Sequence, residues 1–249
     1  TEAAVRALAE WASKERLASL RVEPEAGPEL APALTESGFR PARAREPRHT
    51  LIVELAEPEA LLASFKPKHR YNVRLAFKKG VEVVEGDAQE LERQARATAA
   101  RQGIIQAGSA YYERRLSLLA DCKVYVARHE GEALAAILVA RHDGRAYYLY
   151  GGSSGHRSNL MPTYAAQFAA MRSAWEAGCR EYDMWGIPPA DDPSHPWHGL
   201  WQFKTGFGGR QVEYAGAWEL VLDELGRRAH ALEEGLKSAA RALKRTRIR

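Results

Sequence analysis

Two short turns between apolar runs constrain the fold of this chain more than any other feature of its sequence. Each turn is an acidic residue followed by glycine, at Glu130-Gly131 and at Asp143-Gly144. Such a pair between β-branched or alternating runs is typical of a tight β-hairpin. The pattern therefore predicts an antiparallel meander of three strands, namely Lys123–His129, Ala133–His142 and Arg145–Gly151.

The segments on either side of the meander switch between strand and helix periodicity, which predicts a mixed α/β fold. In chain order the predicted elements are a strand at Val81–Glu85, helices at Ala88–Arg101 and Tyr111–Ala120, the meander, a helix from Pro162 to about Gly178, a strand at Arg180–Trp185, a Pro- and His-rich loop from Gly186 to Gly199, and a strand pair before Leu222.

The N-terminal part carries one strand pattern without a partner. Thr50–Leu55 alternates as a strand, and helices follow from Pro58 and at Tyr71–Lys79. Because a single strand cannot form a sheet, we interpret residues 1–79 as part of a first domain with its linking helix. Residues 80–222 are predicted to form a complete second domain, and residues 223–249 a basic helix that packs on the first. Thr1 in place of Met indicates a truncated or processed chain.

Positive charge is concentrated in one segment. The formal net charge is +4, but residues 40–79 contain ten basic and four acidic residues and so carry +6. A basic segment on a nearly neutral body is typical of a surface that binds a polyanion. Two cysteines exclude a disulfide framework and fit a reducing, intracellular compartment. The longest apolar run has eight residues, whereas a membrane helix needs about 20.

Three segments keep a characteristic order and spacing. They are Leu61–Ala76 with Lys79–Val81, Tyr148–Ser153, and Tyr182–Ile187 followed by Phe203–Gly209. Together they resemble the Fem family (FemABX) of peptidoglycan bridge-forming aminoacyltransferases. The resemblance implies a GNAT-like (acyl-CoA N-acyltransferase) α/β fold, with one complete domain and part of a second. In that fold an acyl donor lies between two splayed strands, here Tyr147–Gly151 and Glu181–Trp185.

The resemblance also implies an activity and its partners. It implies transfer of an amino acid from aminoacyl-tRNA to an amine of a peptidoglycan precursor, either lipid-linked or a soluble UDP-linked muropeptide. The protein is expected in the cytoplasm, at the inner face of the membrane, without a metal or other cofactor. The basic C-terminal residues are candidates for contact with RNA or anionic lipid, namely Lys244, Arg245, Arg247 and Arg249.

Two other functions stay open from the sequence. One is a CoA-dependent acyltransferase on a small amine, although the loop His156–Pro162 lacks the glycines with which GNAT enzymes hold the CoA pyrophosphate. The other is a tRNA-binding module without catalysis.

Two residues are candidates for the chemistry. The resemblance places the pair Phe203-Lys204 where the acyl-tRNA end meets the acceptor, and a lysine there supplies positive charge to a developing oxyanion. Asp183 on a buried strand either orients or deprotonates the acceptor amine, or is a structural acid that caps a turn.

The remaining candidates are binding residues. Tyr148 and Tyr150 are two apart on one strand and are expected to face the same side. The predicted substrate-binding residues are Phe203, Tyr148, Tyr150, Trp185, Trp201, Arg101 and Tyr112. The predicted tRNA-binding residues are Arg70, Arg74, Lys78 and Arg157. The alternatives are core packing for the aromatic residues and a solvated helix face for the basic ones.

Overall fold

The structure is a computed structural model that describes residues 1–103, 107–229 and 232–233. Its chain forms two units. One unit combines Thr1–Arg48 with the chain from Glu213 onward, and the other spans His49–Val212. The first unit is therefore assembled from two separate stretches of sequence, and the second from one continuous stretch.

The helices of the described residues begin where the sequence places prolines and capping residues. Pro58, Pro67 and Pro162 each occupy the first helical turn, where the missing N–H costs nothing. The helices are α1 (Glu2–Lys14), α2 (Ala31–Glu36), α3 (Pro58–Ser64), α4 (Pro67–Lys78), α5 (Ala88–Gln102), α6 (Ser109–Leu118), α7 (Pro162–Glu176) and α8 (His198–Thr205).

The strands form two sheets within the described residues. The strands are β1 (Ser19–Val22), β2 (Arg40–Pro41), β3 (His49–Glu54), β4 (Glu82–Gly86), β5 (Cys122–His129), β6 (Glu132–His142), β7 (Arg145–Ser153), β8 (Glu181–Gly186), β9 (Arg210–Glu213) and β10 (Trp218–Val221).

The discontinuous unit has a small sheet. Strand β10 lies between β1 and β2 and pairs antiparallel with both. Helices α1 and α2 cover it through an apolar cluster that includes Val5, Leu34, Phe39, Trp218 and Leu220. The unit's core thus joins residues from both stretches of sequence.

The continuous unit is organised around a seven-stranded sheet with the order β4-β5-β6-β7-β8-β3-β9. Strands β4 to β7 pair antiparallel, which confirms the predicted meander. Glu130 and Asp143 have φ values of 50° and 46°, and each precedes a glycine that also has positive φ. Two successive residues in this left-handed region give the turn whose twist matches the flanking strands.

Both faces of the large sheet are buried. One face carries Val139, Ala146 and Tyr182 and packs against α3, α4 and α7. The opposite face carries Val126 and Leu138 and packs against α5 and α6. Burial on both sides explains why the strands read as nearly continuous apolar runs.

The sheet opens into a fork between β7 and β8. These neighbours are parallel, but their pairing covers only Arg145↔Glu181 to Tyr147↔Asp183. Beyond this point β7 continues along β6 as far as Ser153, while β8 stays paired with β3 up to Gly186. The two strands therefore separate, as predicted for the acyl-donor cleft.

The units differ from the boundaries predicted from the sequence. Strand β3, expected to belong to a partial domain of residues 1–79, lies between β8 and β9. Leu61 of α3 and Val73 of α4 contribute to the core of the large sheet, so this unit begins at His49 rather than at Gly80. Of the predicted C-terminal helix, residues 224–229 and 232–233 are helical, and residues 230–231 and 234–249 lie outside the described residues.

Two further elements were not predicted. They are strand β1 and helix α8, and α8 begins within the last two residues of the predicted Pro- and His-rich loop. Within the described part of the chain, every helix is too short or too polar to cross a bilayer.

Candidate active site in the strand fork

Helix α8 carries Lys204 from the surface to the fork. Its N-terminal end reaches the surface, where Trp197 at the N-cap is 57% accessible and Leu200 is 37% accessible, whereas Lys204 in the last turn is only 5% accessible. The Lys204 Nζ donates to the carbonyl oxygen of Gly186 at 2.9 Å and lies 5.4 Å from the ring centre of Tyr148. Gly186 ends β8 and Tyr148 is on β7, so the amine contacts both arms of the fork.

The end of α8 is buried because glycine permits close packing there. A Cβ on Gly206 would collide with the imidazole ring of His69. The carbonyl oxygen of Gly206 accepts a hydrogen bond from the amide of Lys66 at 2.9 Å, and His69 bonds the carbonyl oxygen of Phe203 at 2.8 Å. These contacts fix the last turn of α8 against the start of α4.

The surroundings of Lys204 bring the pKa of its amine close to neutral pH. Burial lowers the pKa of Lys204 from 10.5 to about 7, and the carboxylate of Asp183 opposes part of that shift. An amine with a pKa near 7 is present in both protonation states at neutral pH. Lys204 is therefore able to supply a positive charge or to exchange a proton inside the fork.

A β-bulge separates the two tyrosines that were expected to face the same side. Tyr148 pairs with Val139 and Tyr150 with Leu138, so Leu149 is an extra residue on β7. Tyr148 packs in the cluster that contains α7, whereas Tyr150 packs on the opposite face, with its hydroxyl 2.8 Å from that of Tyr111. The prediction of a shared face is wrong, and only Tyr148 contacts Lys204.

Asp183 is engaged in holding a distorted backbone. Its Oδ1 accepts hydrogen bonds from the Thr50 hydroxyl and from the amide of Trp185, the latter at 2.7 Å. Trp185 has a φ of 60°, which is uncommon for a bulky residue, and the β3–β8 register shifts here. These contacts fit the structural alternative, in which Asp183 caps a turn. Trp185 itself is partly buried, with its ring 6.2 Å from that of Tyr147.

Phe203 and Trp201 precede Lys204 on α8 and pack against the core of the large sheet. Phe203 is partly buried in an aromatic cluster, 5.3 Å from Tyr164 and 5.2 Å from Phe207 between ring centres. Trp201 is also partly buried, stacks nearly parallel to His198, and has the Lys66 ammonium 5.7 Å from its ring. Most of the Phe203 ring is used in core packing. Trp201 has an aromatic ring with a cation close to it.

Arg101 lies at the far end of one arm of the fork, and Tyr112 lies on the opposite face of the sheet. The guanidinium of Arg101 donates to the backbone carbonyl oxygens of Ser153 and Ser154 and so holds the end of β7. Tyr112 is fully buried between α6 and the sheet, on the face opposite to Lys204, and burial raises the pKa of its hydroxyl. The structure therefore contradicts a ligand-contacting role for Tyr112, since no part of its side chain is accessible.

The predicted tRNA-binding residues divide into two kinds. The guanidinium of Arg70 donates to the carbonyl oxygens of Ala63 and Phe65 and so stabilises the end of α3. Arg157 forms ion pairs with Glu130 and Glu132, so its charge is largely neutralised. Arg74 and Lys78 are exposed and one turn apart on α4, and neither has an acidic partner among the described residues.

The loop before α7 cannot bind a pyrophosphate in the usual GNAT manner. Met161 has a φ of 56° and is followed by Pro162, which starts α7 and has no N–H to donate. Side chains occupy the positions at which glycines would allow a close backbone approach. The structure agrees with the sequence argument against this mode of CoA binding.

One functional candidate was missed by sequence reasoning. Gln167 of α7 is 1% accessible, and its Oε1 accepts a hydrogen bond from the Tyr182 hydroxyl at 2.9 Å. The sequence pattern that points to Gln167 is a polar amide among apolar helical neighbours, which are Ala165, Ala166, Ala169 and Ala170. A polar group at a buried helical position needs a partner inside the protein.

The parallel pair β7–β8, the fork and the antiparallel strands before it define a GNAT-like acyltransferase fold, and the predicted fold class is confirmed. The solved structure of FemX superimposes with a TM-score of 0.79 at 21% sequence identity, over 89% of this chain and 76% of that one.

The sequence narrows this class to a family. Residues 36–128 and 119–232 match the profile of the FemAB family, and the chain belongs to that family. It is 24% identical to the lipid II:glycine glycyltransferase of Staphylococcus saprophyticus, over 89% of this chain and 73% of that protein. It is 22% identical to the protein of the same name from Staphylococcus aureus (strain COL), over 86% and 71%.

Proposed function

We propose that this chain transfers an amino acid from aminoacyl-tRNA to an amine of a lipid-linked peptidoglycan precursor. The observation that carries the proposal is the buried amine of Lys204, which touches both arms of the fork where the fold class binds its acyl donor. Membership of the FemAB family and the names of its lipid II-using relatives support the choice of reaction.

The proposed reaction is aminolysis of an ester. The acceptor amine attacks the ester carbonyl, a C–N bond forms, and the C–O bond to the tRNA ribose breaks. The amine loses a proton and the ribose oxygen gains one. Lys204 in its ammonium form stabilises the oxyanion of the tetrahedral intermediate, at a position where little water competes for its charge.

The donor tRNA is proposed to lie along α4. Between Lys66 and Gly80 the chain has six basic and no acidic residues, and Arg74 and Lys78 project from its exposed face. A basic stripe of this kind binds phosphates without reading sequence. We expect binding to weaken steeply with salt, because each phosphate contact releases a counterion.

The acceptor is proposed to be lipid-linked rather than UDP-linked. Residues 102–112, which the resemblance places near a UDP diphosphate, contain no charged side chain, and the flanking Arg101 is bonded to backbone carbonyls. The segment itself thus offers a diphosphate no positive side chain, and the guanidinium of Arg115, which lies beside it, is hydrogen-bonded to the Tyr111 hydroxyl at 2.8 Å. The relatives' name refers to lipid II, which favours the lipid-linked alternative.

A transfer assay tests the proposal. Total tRNA charged with labelled amino acids is incubated with the protein and with either a lipid-linked or a UDP-linked precursor, and the products are identified by mass. We expect transfer to the lipid-linked precursor and a loss of roughly 100-fold or more in Lys204→Met. Lys123→Met, which removes an exposed lysine paired with Glu85, is the matched control.

Each other outcome selects a different function. If the protein acylates a small amine from acetyl-CoA and does not use charged tRNA, it is a CoA-dependent transferase and the proposal is refuted. Binding of tRNA without transfer to either precursor would indicate a non-catalytic module. Unchanged transfer by Lys204→Met would remove Lys204 from the mechanism.

A further inference from the structure

A buried amide connects the two arms of the fork. Gln167 on α7 accepts a hydrogen bond from the hydroxyl of Tyr182 on β8 at 2.9 Å. The side chain of Gln167 is also hydrogen-bonded to the hydroxyl of Tyr148 on β7, which partly offsets the effect of burial on the pKa of that tyrosine. One side chain of the helix therefore bonds one residue on each strand.

The two tyrosines stand at the point where the strands separate. The last β7–β8 pair is Tyr147↔Asp183. Tyr182 is one residue before that pair on β8, and Tyr148 is one residue beyond it on β7. Both pack on the sheet face that α7 covers, so the amide bridges the fork at its apex.

The bridge leads directly to the amine of the candidate site. The ring of Tyr148 lies 5.4 Å from Lys204 Nζ, and a cation over an aromatic ring is favoured most when both are shielded from water. The hydroxyl of Tyr148 is therefore fixed by Gln167 while its ring faces the ammonium. A shift of this ring would change the surroundings of Lys204.

We propose that Gln167 is a positioning residue, which sets the opening of the β7–β8 fork and holds the Tyr148 ring beneath Lys204. This inference rests on the proposed function for its kinetic consequences, but its geometric part does not. An amide at this buried place costs free energy unless both hydrogen bonds form, and methionine fills a similar volume without that cost. The two hydrogen bonds are therefore the specific contribution that glutamine makes.

The test compares Gln167→Met with a control on the same helix. Tyr125 on β5 donates its hydroxyl to Ser173 of α7 at 2.9 Å, so Tyr125→Phe also removes one strand-to-helix hydrogen bond, but away from the fork. The titration of Lys204 is followed by NMR in protein labelled with ¹³C-lysine, without substrate. The Lys204 resonance is identified by its absence from Lys204→Met.

We expect the two variants to differ in both measurements. In Gln167→Met the pKa of Lys204 falls by about half a unit to one unit, because its ammonium loses the ring that favours the charged form. The kcat for transfer falls by roughly 10-fold or more with KM within about two-fold, as for a misplaced catalytic group. In Tyr125→Phe both the titration and kcat stay unchanged.

Two results would overturn the inference. One is an unchanged Lys204 titration in folded Gln167→Met, and the other is an equal change in Tyr125→Phe. If Gln167→Met does not fold, Tyr148→Phe and Tyr182→Phe each remove one of the two bridging hydroxyls, and the same shifts in smaller measure are expected. A shifted titration in a protein without transfer activity would uphold the positioning role while refuting the proposed function.

Discussion

Replacing Lys204 by methionine is expected to stabilise the protein while reducing transfer by roughly 100-fold or more. Lys204 is 5% accessible, and its amine is compensated by one carbonyl oxygen, one aromatic ring and the charge of the Asp183 carboxylate. Methionine keeps most of the volume and removes the charge. Such an exchange of stability for activity is common where a site contains a buried ionisable group.

The magnitude follows from the pKa of Lys204. In the unfolded chain the amine titrates near 10.5, and in the folded protein at about 7. At about 1.4 kcal/mol per pKa unit, the protonated lysine costs the folded state about 5 kcal/mol. Because the unfolded state binds more protons between these two values, stability rises with pH from about 7 to about 10.5, and below pH 7 the full cost applies.

Urea unfolding followed by circular dichroism measures this effect. We expect Lys204→Met to be more stable than the parent protein by up to about 5 kcal/mol at pH 6 and by about 3 kcal/mol at pH 8, with a further decline toward pH 10. Lys123→Met should change stability by less than about 1 kcal/mol. Equal or lower stability of Lys204→Met at pH 6, or a gain that does not change with pH, would refute the reasoning.

Three further predictions concern the fold and the tRNA surface. Asp183→Ala leaves a hydroxyl and a backbone amide without their acceptor and should cost about 2–4 kcal/mol, measured by urea unfolding. Arg74→Ala with Lys78→Ala should reduce the salt dependence of tRNA binding by about two in log–log slope, measured by filter binding at several salt concentrations. Gly152→Ala places a Cβ against the backbone of α5 and should cost about 1–3 kcal/mol in thermal unfolding, whereas Gly199→Ala meets open space on α8 and should be neutral or stabilising.

The meander could be predicted because its signals are local. Turns of the type Glu130-Gly131 determine their hairpins from within a few residues, and the strands follow. The place of β3 could not be predicted in this way, since its neighbours β8 and β9 are distant in sequence. A strand pattern specifies an element but not its partner, which depends on packing of the whole unit.

The candidate site also contains features that could be predicted from local sequence and features that could not. The Phe203-Lys204 pair was found through its motif, but the helix that carries Lys204 inward was missed, because it follows a Pro-rich loop and its short length gives weak periodicity. The opposite orientations of Tyr148 and Tyr150 were also missed. Both faces of β7 are buried, so polar–apolar alternation gives no sign of the extra residue at Leu149.

Because one unit is discontinuous in sequence, its strands are synthesised at different times. During synthesis, residues 49–212 leave the ribosome before β10 does, and β10 is the central strand between β1 and β2. Strands β1 and β2 therefore lack their central partner until residues 218–221 have been synthesised, after every strand of the larger sheet. The backbone edges of β1 and β2 are therefore open to mispairing for longer than those of the strands in the larger sheet.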